Sequence, residues 1–188
     1  MLPSAAGFVD PLLSTGFALT LLGVARLAEI FERDWDSPRF GPALSGYARQ
    51  TDGELIATAD LIGGLYASMA NFPLFVSLSL LYFAAASFAE TARRLGKPEL
   101  ASSFLLCDHP AFKMRELVAR ARSKEGIQTL GDDILRAIEP FNVAGLGEQR
   151  RRNWYPVDAE DLLRAAPKLG ARREEIERLL VRCGFGRE

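Results

Sequence analysis

Ala5-Ala6-Gly7-Phe8-Val9-Asp10-Pro11-Leu12-Leu13-Ser14-Thr15-Gly16 leads without a break into an apolar run from Phe17 to Phe31. The first part reads as a loop and the second as a helix. Pro11 fixes its own φ and drives Asp10 out of the helical region, so Asp-Pro initiates a turn. Ser14 and Thr15 are favoured at helix N-caps, and Gly16 lets another group approach the backbone closely. The first amides of such a helix have no intrahelical acceptor and sit at the positive end of its dipole. Two readings stay open on these residues alone. One is an ordinary capped helix; the other is a corner that receives an anion or an electron-rich ring edge.

Helical periodicity continues outward from that corner. Phe17, Leu21, Val24, Ala28 and Phe31 draw one face of a first helix, about residues 17–33. Asp34-Trp35-Asp36-Ser37-Pro38 breaks it, with Ser37 and Pro38 placed as N-cap and N1 of the next. The second helix is expected over about residues 38–69, on the spacing of Leu44, Ala48, Thr51, Leu55, Ala59, Ile62, Tyr66 and Met69. Thr51-x-x-Glu54 has capping-box spacing, which raises a break near Gly53, and Gly63-Gly64 is a place for close contact or a kink. Asn71-Phe72-Pro73 opens a third helix that ends before Gly96, with Leu74, Leu78, Leu81, Ala85, Phe88, Ala92 and Leu95 on one face.

Residues 61–89 carry no charge. A membrane span needs about 20 apolar residues. The Asn71-Phe72-Pro73 break and the serines Ser68, Ser77, Ser79 and Ser87 favour a buried helix pair lining a pocket instead. Beyond Lys97 the chain becomes more polar. Cys107-Asp108-His109-Pro110 reads as a turn capping a helix over about residues 110–122, and residues 126–131 as a linker before a short helix at 132–138. A loop follows at Phe141 to Gly147. The tail reads as a helix pair, with Asp158 as N-cap and Ile176, Leu179, Leu180 and Cys183 as the inward stripe of the last helix.

Composition narrows the function classes. The chain has 188 residues and a formal net charge of -1, length enough for a real core. Near-neutral charge argues against broad phosphate neutralisation, so Arg150-Arg151-Arg152 with Trp154 and Tyr155 reads as a solvated basic turn rather than a nucleic-acid contact. Cys107, Cys183 and His109 lack any zinc-ligand spacing, and no metal is expected. Two reduced thiols suit a cytoplasmic protein. His109 reads as a capping or surface residue, since no carboxylate or nucleophile is placed with it. The sequence contains no G-x-G-x-x-G and no G-x-x-x-x-G-K-[ST].

With these residues in view, the stretch from Ala5 to Gly16 resembles the second flavin-contacting motif of FAD-dependent halogenases and their halogenase-like oxidoreductase relatives, within the flavoprotein monooxygenase superfamily. The resemblance continues through Leu65-Tyr66, Asn71-Phe72-Pro73-Leu74-Phe75, Leu81-Tyr82-Phe83-Ala84-Ala85-Ala86-Ser87 and Arg93-Arg94-Leu95-Gly96. It returns at Pro140 to Leu146 and at Asn153-Trp154-Tyr155-Pro156-Val157.

The resemblance implies that FAD is the cofactor, met by Ser4, Asp10, Pro11, Ser14, Thr15 and Gly16. Pro11 would lie beside the isoalloxazine ring, and Thr15 and Gly16 would also hold halide. Tyr66, Phe72, Phe75 and Tyr82 would shape an apolar pocket for a small organic substrate. Ser4 stands where the superfamily usually has an aspartate, and offers a hydroxyl in place of a carboxylate. Leu13 stands where tryptophan halogenases carry a glutamate, and cannot transfer a proton. That departure speaks against a strict tryptophan halogenase.

The implied fold class is mostly α: the helical C-terminal portion of a flavoprotein monooxygenase-type α/β enzyme, without its N-terminal Rossmann-like βαβ unit. Residues 1–36 would end the FAD domain, 37–125 would form the helical substrate region, and 126–188 a C-terminal helical region. The family's nucleotide-binding strand-loop-helix precedes the motif, so the expected partners include a missing N-terminal half or a flavin reductase. FAD binding by this chain alone is expected to be weak, because no pyrophosphate cradle is present. The other class left open is a non-catalytic helical binding or membrane-associated protein.

Overall fold

The computed structural model describes residues 1–123, 126–148 and 158–185. Among them every regular element is helical and no strand occurs, so the chain is mostly α. A four-residue turn of helix, α1 (Pro3–Ala6), precedes α2 (Thr15–Asp34), α3 (Phe40–Ser68) and α4 (Phe72–Arg94). After two short 3-10 turns come α5 (Met114–Ser123), α6 (Ile127–Ile138), α7 (Ala159–Arg164) and α8 (Arg173–Arg182).

The α3–α4 hairpin is the centre of the molecule. Its α3 packs against α2 and α5, and its α4 against α6. Leu61, Leu65, Leu78 and Leu81 meet inside it without solvent exposure. Each such side chain contributes about 1.5–3 kcal/mol of hydrophobic stabilisation. Asn71 turns the hairpin: its side chain accepts a bond from the Leu74 amide at 3.3 Å, and Pro73 occupies the first turn of α4. Gly96 closes α4 in a left-handed conformation at φ +75°, as its place after the last periodic residue foretells. One core runs from Val9 through the hairpin to Ile176 and Leu180 near the end of the described chain.

Several expectations are corrected. The Phe17–Leu21–Val24–Ala28–Phe31 face of α2 is turned outward, with Phe17 74% and Leu21 53% exposed. Its inward face is Thr15, Leu19, Gly23, Ile30 and Asp34, because α3 approaches on that side. The buried face of α3 is likewise rotated from the expected one. It consists of Tyr47, Thr51, Glu54, Ala57, Thr58, Leu61, Ile62, Leu65 and neighbours, while Ala48, Ala59, Tyr66 and Met69 are exposed. The helix passes through Gly53 and Gly63-Gly64 unbroken.

Further along, α5 begins at Met114, past the expected start at Pro110. His109 and Phe112 spend their backbone on a turn instead, the Phe112 amide donating to the His109 carbonyl. Residues 127–131 belong to α6 and not to a linker; Leu130, Ile134 and Ile138 form its buried stripe against α4. Cys183 lies exposed beyond the end of α8, whereas Ile176, Leu179 and Leu180 are buried. Asp158 caps α7 through the Glu160 amide at 3.0 Å. The readings placed on Arg150-Arg151-Arg152, Trp154 and Tyr155 fall outside the described residues.

By length and composition α4 could cross a membrane, yet 44% of its most apolar window is buried inside the fold. The core helix of a soluble protein has the same character.

Candidate functional site

The turn at Asp10-Pro11 builds a short 3-10 segment, Pro11–Leu13, capped by the Asp10 carboxylate, which accepts from the Leu12 amide at 3.0 Å. The Ser14 amide returns to the Pro11 carbonyl at 2.9 Å. Ser14 itself is left-handed, φ 52° and ψ 28°, and its hydroxyl does not cap the helix that follows. A left-handed non-glycine residue costs roughly 1–2 kcal/mol, so surrounding contacts must hold it.

Helix α2 therefore starts with its donors unclaimed. Among the described residues no capping side chain or loop acceptor meets the amides of Thr15, Gly16 or Phe17, the first three of the helix. The open donors and the dipole of a 20-residue helix both favour a negative partner there. A Cβ on Gly16 would meet nothing within 4 Å, so the backbone faces open space at that point.

A groove of about 430 Å³ opens beside this corner. Ser4, Pro11, Ser14 and Gly16 all line it, with Phe8, Phe17 and Leu55 supplying apolar walls. Asp10 and Thr15 do not line it. The Thr15 side chain is fully buried, and its hydroxyl has no partner among the described residues.

The four residues expected in a substrate pocket are placed differently from one another. Tyr66 donates its O–H to Asp10 Oδ1 at 2.8 Å, and this bond to a carboxylate raises its pKa, with burial adding to the shift. Tyr82 donates to the Leu13 carbonyl at 3.0 Å, and its ring packs edge-on against Phe83. Phe75 packs partly buried against the core, while Phe72 is 72% exposed at the hairpin turn. None of the four lines the groove beside the corner.

Sequence reasoning missed the tyrosine contacts altogether. Tyr47 makes a third, donating to the Met1 carbonyl at 3.1 Å. A phenol's partner is set by tertiary packing, and no local pattern signals it.

A cavity of about 450 Å³ lies among Glu139, Asn142, Asp161, Arg164 and Lys168. Its charges are already engaged: Lys168 bonds Glu139 and the Asn142 carbonyl, and Arg164 stands 3.4 Å from Asp161. His109 accepts from the Ala111 amide at 3.3 Å and packs edge-on against Phe141, which is a structural role. Among the described residues no group of three or more His, Cys, Asp or Glu side chains could hold a metal ion.

No family model, curated protein or solved structure matches this chain.

Proposed function

We propose that this chain is the helical, C-terminal portion of an FAD-dependent halogenase-like oxidoreductase, contributing the flavin-facing corner and part of an apolar substrate region. The observation that carries the reading is the corner itself. Pro11, Ser14 and Gly16 of the motif and Ser4 just before it line a single groove at a helix end whose first three amides are uncapped.

The fit to FAD is partial. The groove's volume lies in the range of small-molecule pockets, its walls are apolar, and Gly16 leaves room for a ring edge. Among the described residues there is no glycine-rich strand-loop-helix to cradle a pyrophosphate. The residues suit the ring end of the cofactor, and a second half would hold the nucleotide end. The outward apolar face of α2, continuous with the groove at Phe17, is the surface that half would cover.

Bound FAD would supply the oxidising chemistry, directed at a small organic substrate or at halide. The chain's own part is electrostatic. The amides at the head of α2 would stabilise negative charge on an electron-rich edge or a halide ion, and the apolar walls would keep water away. Leu13 contributes no proton transfer.

The test is twofold. The reading frame upstream of the Met1 codon is expected to encode a G-x-G-x-x-G segment, and a chain so extended should purify yellow. This chain alone, titrated with FAD and followed by flavin fluorescence, should bind it only weakly. A stoichiometrically loaded sample of this chain alone would overturn the half-site reading.

The apolar composition of α4 favours a second reading, a membrane-associated helical protein. Extraction that requires detergent would support it against the first.

A further inference from the structure

We infer that Tyr66 and Tyr82 are positioning residues for the head of α2, acting through the Asp10–Ser14 loop without touching what the corner binds. The inference rests on reading that corner as ligand-facing.

The two phenols come from different helices of the central hairpin and grip the two ends of one 3-10 turn. Tyr66, on α3, donates to Asp10 Oδ1 at 2.8 Å. The same oxygen accepts the Leu12 amide at 3.0 Å, so a single carboxylate atom ties α3 to the turn. Tyr82, on α4, donates to the Leu13 carbonyl at 3.0 Å.

That second contact acts on one rigid plane. The Leu13 C=O and the Ser14 N–H belong to the same planar peptide and point in opposite directions. On one side the carbonyl receives Tyr82, and on the other the N–H reaches the Pro11 carbonyl at 2.9 Å. The plane is clamped from both sides immediately before Ser14. Ser14 is left-handed, a conformation its own side chain does not favour, so outside contacts are needed to hold it. The amides of α2 that follow take their direction from this plane. Neither tyrosine lines the groove, so any influence on a ligand there passes through the loop.

The experiment is amide hydrogen exchange resolved at Leu12 and Ser14 in the full chain, with free FAD titrated in parallel as the probe. Tyr66→Phe and Asp10→Ala should speed exchange at Leu12, and Tyr82→Phe at Ser14, each by about threefold to tenfold, the equivalent of one modest hydrogen bond. Exchange at the buried Leu78 and Leu81 amides of α4 should not change. Asp10→Asn should retain slow exchange, because its amide oxygen can still accept both bonds. Tyr47→Phe, which loses a contact only to Met1, should leave Leu12 and Ser14 unaffected. Unchanged exchange in Tyr66→Phe and Tyr82→Phe would overturn the inference, as would loss of protection in Asp10→Asn equal to that in Asp10→Ala. Should a tyrosine variant fail to fold, the Asp10 pair decides alone. FAD affinity should fall in the same variants that loosen the loop. Altered exchange with no measurable FAD binding, wild type included, would leave the positioning role standing, and the flavin reading would then be decided by the extended chain, which fails it if it purifies without flavin.

Discussion

Arg26 grips Glu54 through two parallel hydrogen bonds of 2.6 and 2.8 Å, with the carboxylate sealed from solvent. Around that pair the Phe104 amide and the Gln50 side chain also donate to Glu54, and both Arg26 and Gln50 reach the Ser102 carbonyl. The network joins α2, α3 and the segment after α4 at one point. A buried charge left without its partner is expensive, so Arg26→Ala should lower stability by about 3 kcal/mol in urea unfolding. Replacing both charges with apolar residues of similar size, Arg26→Met with Glu54→Leu, should recover most of that loss. Equal destabilisation in the single and double variants would show that the ion pair is not what holds the junction.

Gly23 faces Pro3 in the interior of α2. A Cβ there would stand 2.6 Å from the Pro3 ring and 3.0 Å from the Tyr47 hydroxyl. Alanine is normally preferred to glycine in a helix interior by about 1 kcal/mol. Here the clash should win: Gly23→Ala should destabilise by about 1–3 kcal/mol, since the buried proline ring cannot yield without moving its segment. Gly46→Ala, where a Cβ would meet nothing within 4 Å, should instead be neutral or gain up to about 1 kcal/mol. Thermal unfolding of the two variants against wild type reads the contrast directly.

The punctuation of the first three long helices was legible because it is local chemistry. Asp10-Pro11, Asn71-Phe72-Pro73 and Gly96 each fix a boundary through φ restriction, capping or a left-handed close, and the structure puts the ends within a few residues of those signals. The inward face of α4 was legible too, since a long apolar stripe there has a partner on the other side. The face of α2 was not. Hydrophobic period gives a direction relative to the helix and says nothing about what lies opposite; the bulkier stripe at Phe17 and Leu21 points outward while Leu19 and Gly23 face α3. On α3 Glu54 read as the far member of a capping box with Thr51 and not as a buried ion-pair partner, because its countercharge, Arg26, lies 28 residues away. At the candidate site Ser4, Pro11, Ser14 and Gly16, which share the groove, could be named together from sequence, whereas Asp10 and Thr15, named with them, do not line it. The phenol contacts that hold their loop could not, for each spans more than fifty residues.

The two sides of α2 should respond oppositely to truncation. Leu19 is 2% exposed, so Leu19→Ala should cost about 2–5 kcal/mol through lost burial and a residual cavity. Leu21→Ser, on the outward stripe, should change stability by no more than about 0.5 kcal/mol. The same outward substitution, combined with Phe17→Ser, should reduce self-association of the isolated chain in sedimentation, because it breaks an exposed apolar patch. A large loss of stability in Leu21→Ser would mean that this face packs inward.

The two thiols should behave as different chemical groups. Cys183 is exposed and should react promptly with a disulfide reagent at pH 8, whereas buried Cys107 should wait for unfolding. Burial, helped by the neighbouring Asp108 carboxylate and only partly opposed by Arg115, raises the Cys107 pKa from an ordinary 9.0 to about 11. The folded chain thus keeps this proton over a range in which the unfolded chain has already released it. Where the folded state binds the extra proton, stability falls as pH rises. The contribution of Cys107 should therefore be constant below about pH 9 and be lost progressively as pH climbs to about 11. Urea midpoints measured for wild type and Cys107→Ala across that window isolate the effect, because every other titratable group is common to both. The wild-type midpoint should drop more steeply than that of the variant. Parallel curves would mean that the thiol is as accessible to water in the folded chain as in the unfolded one.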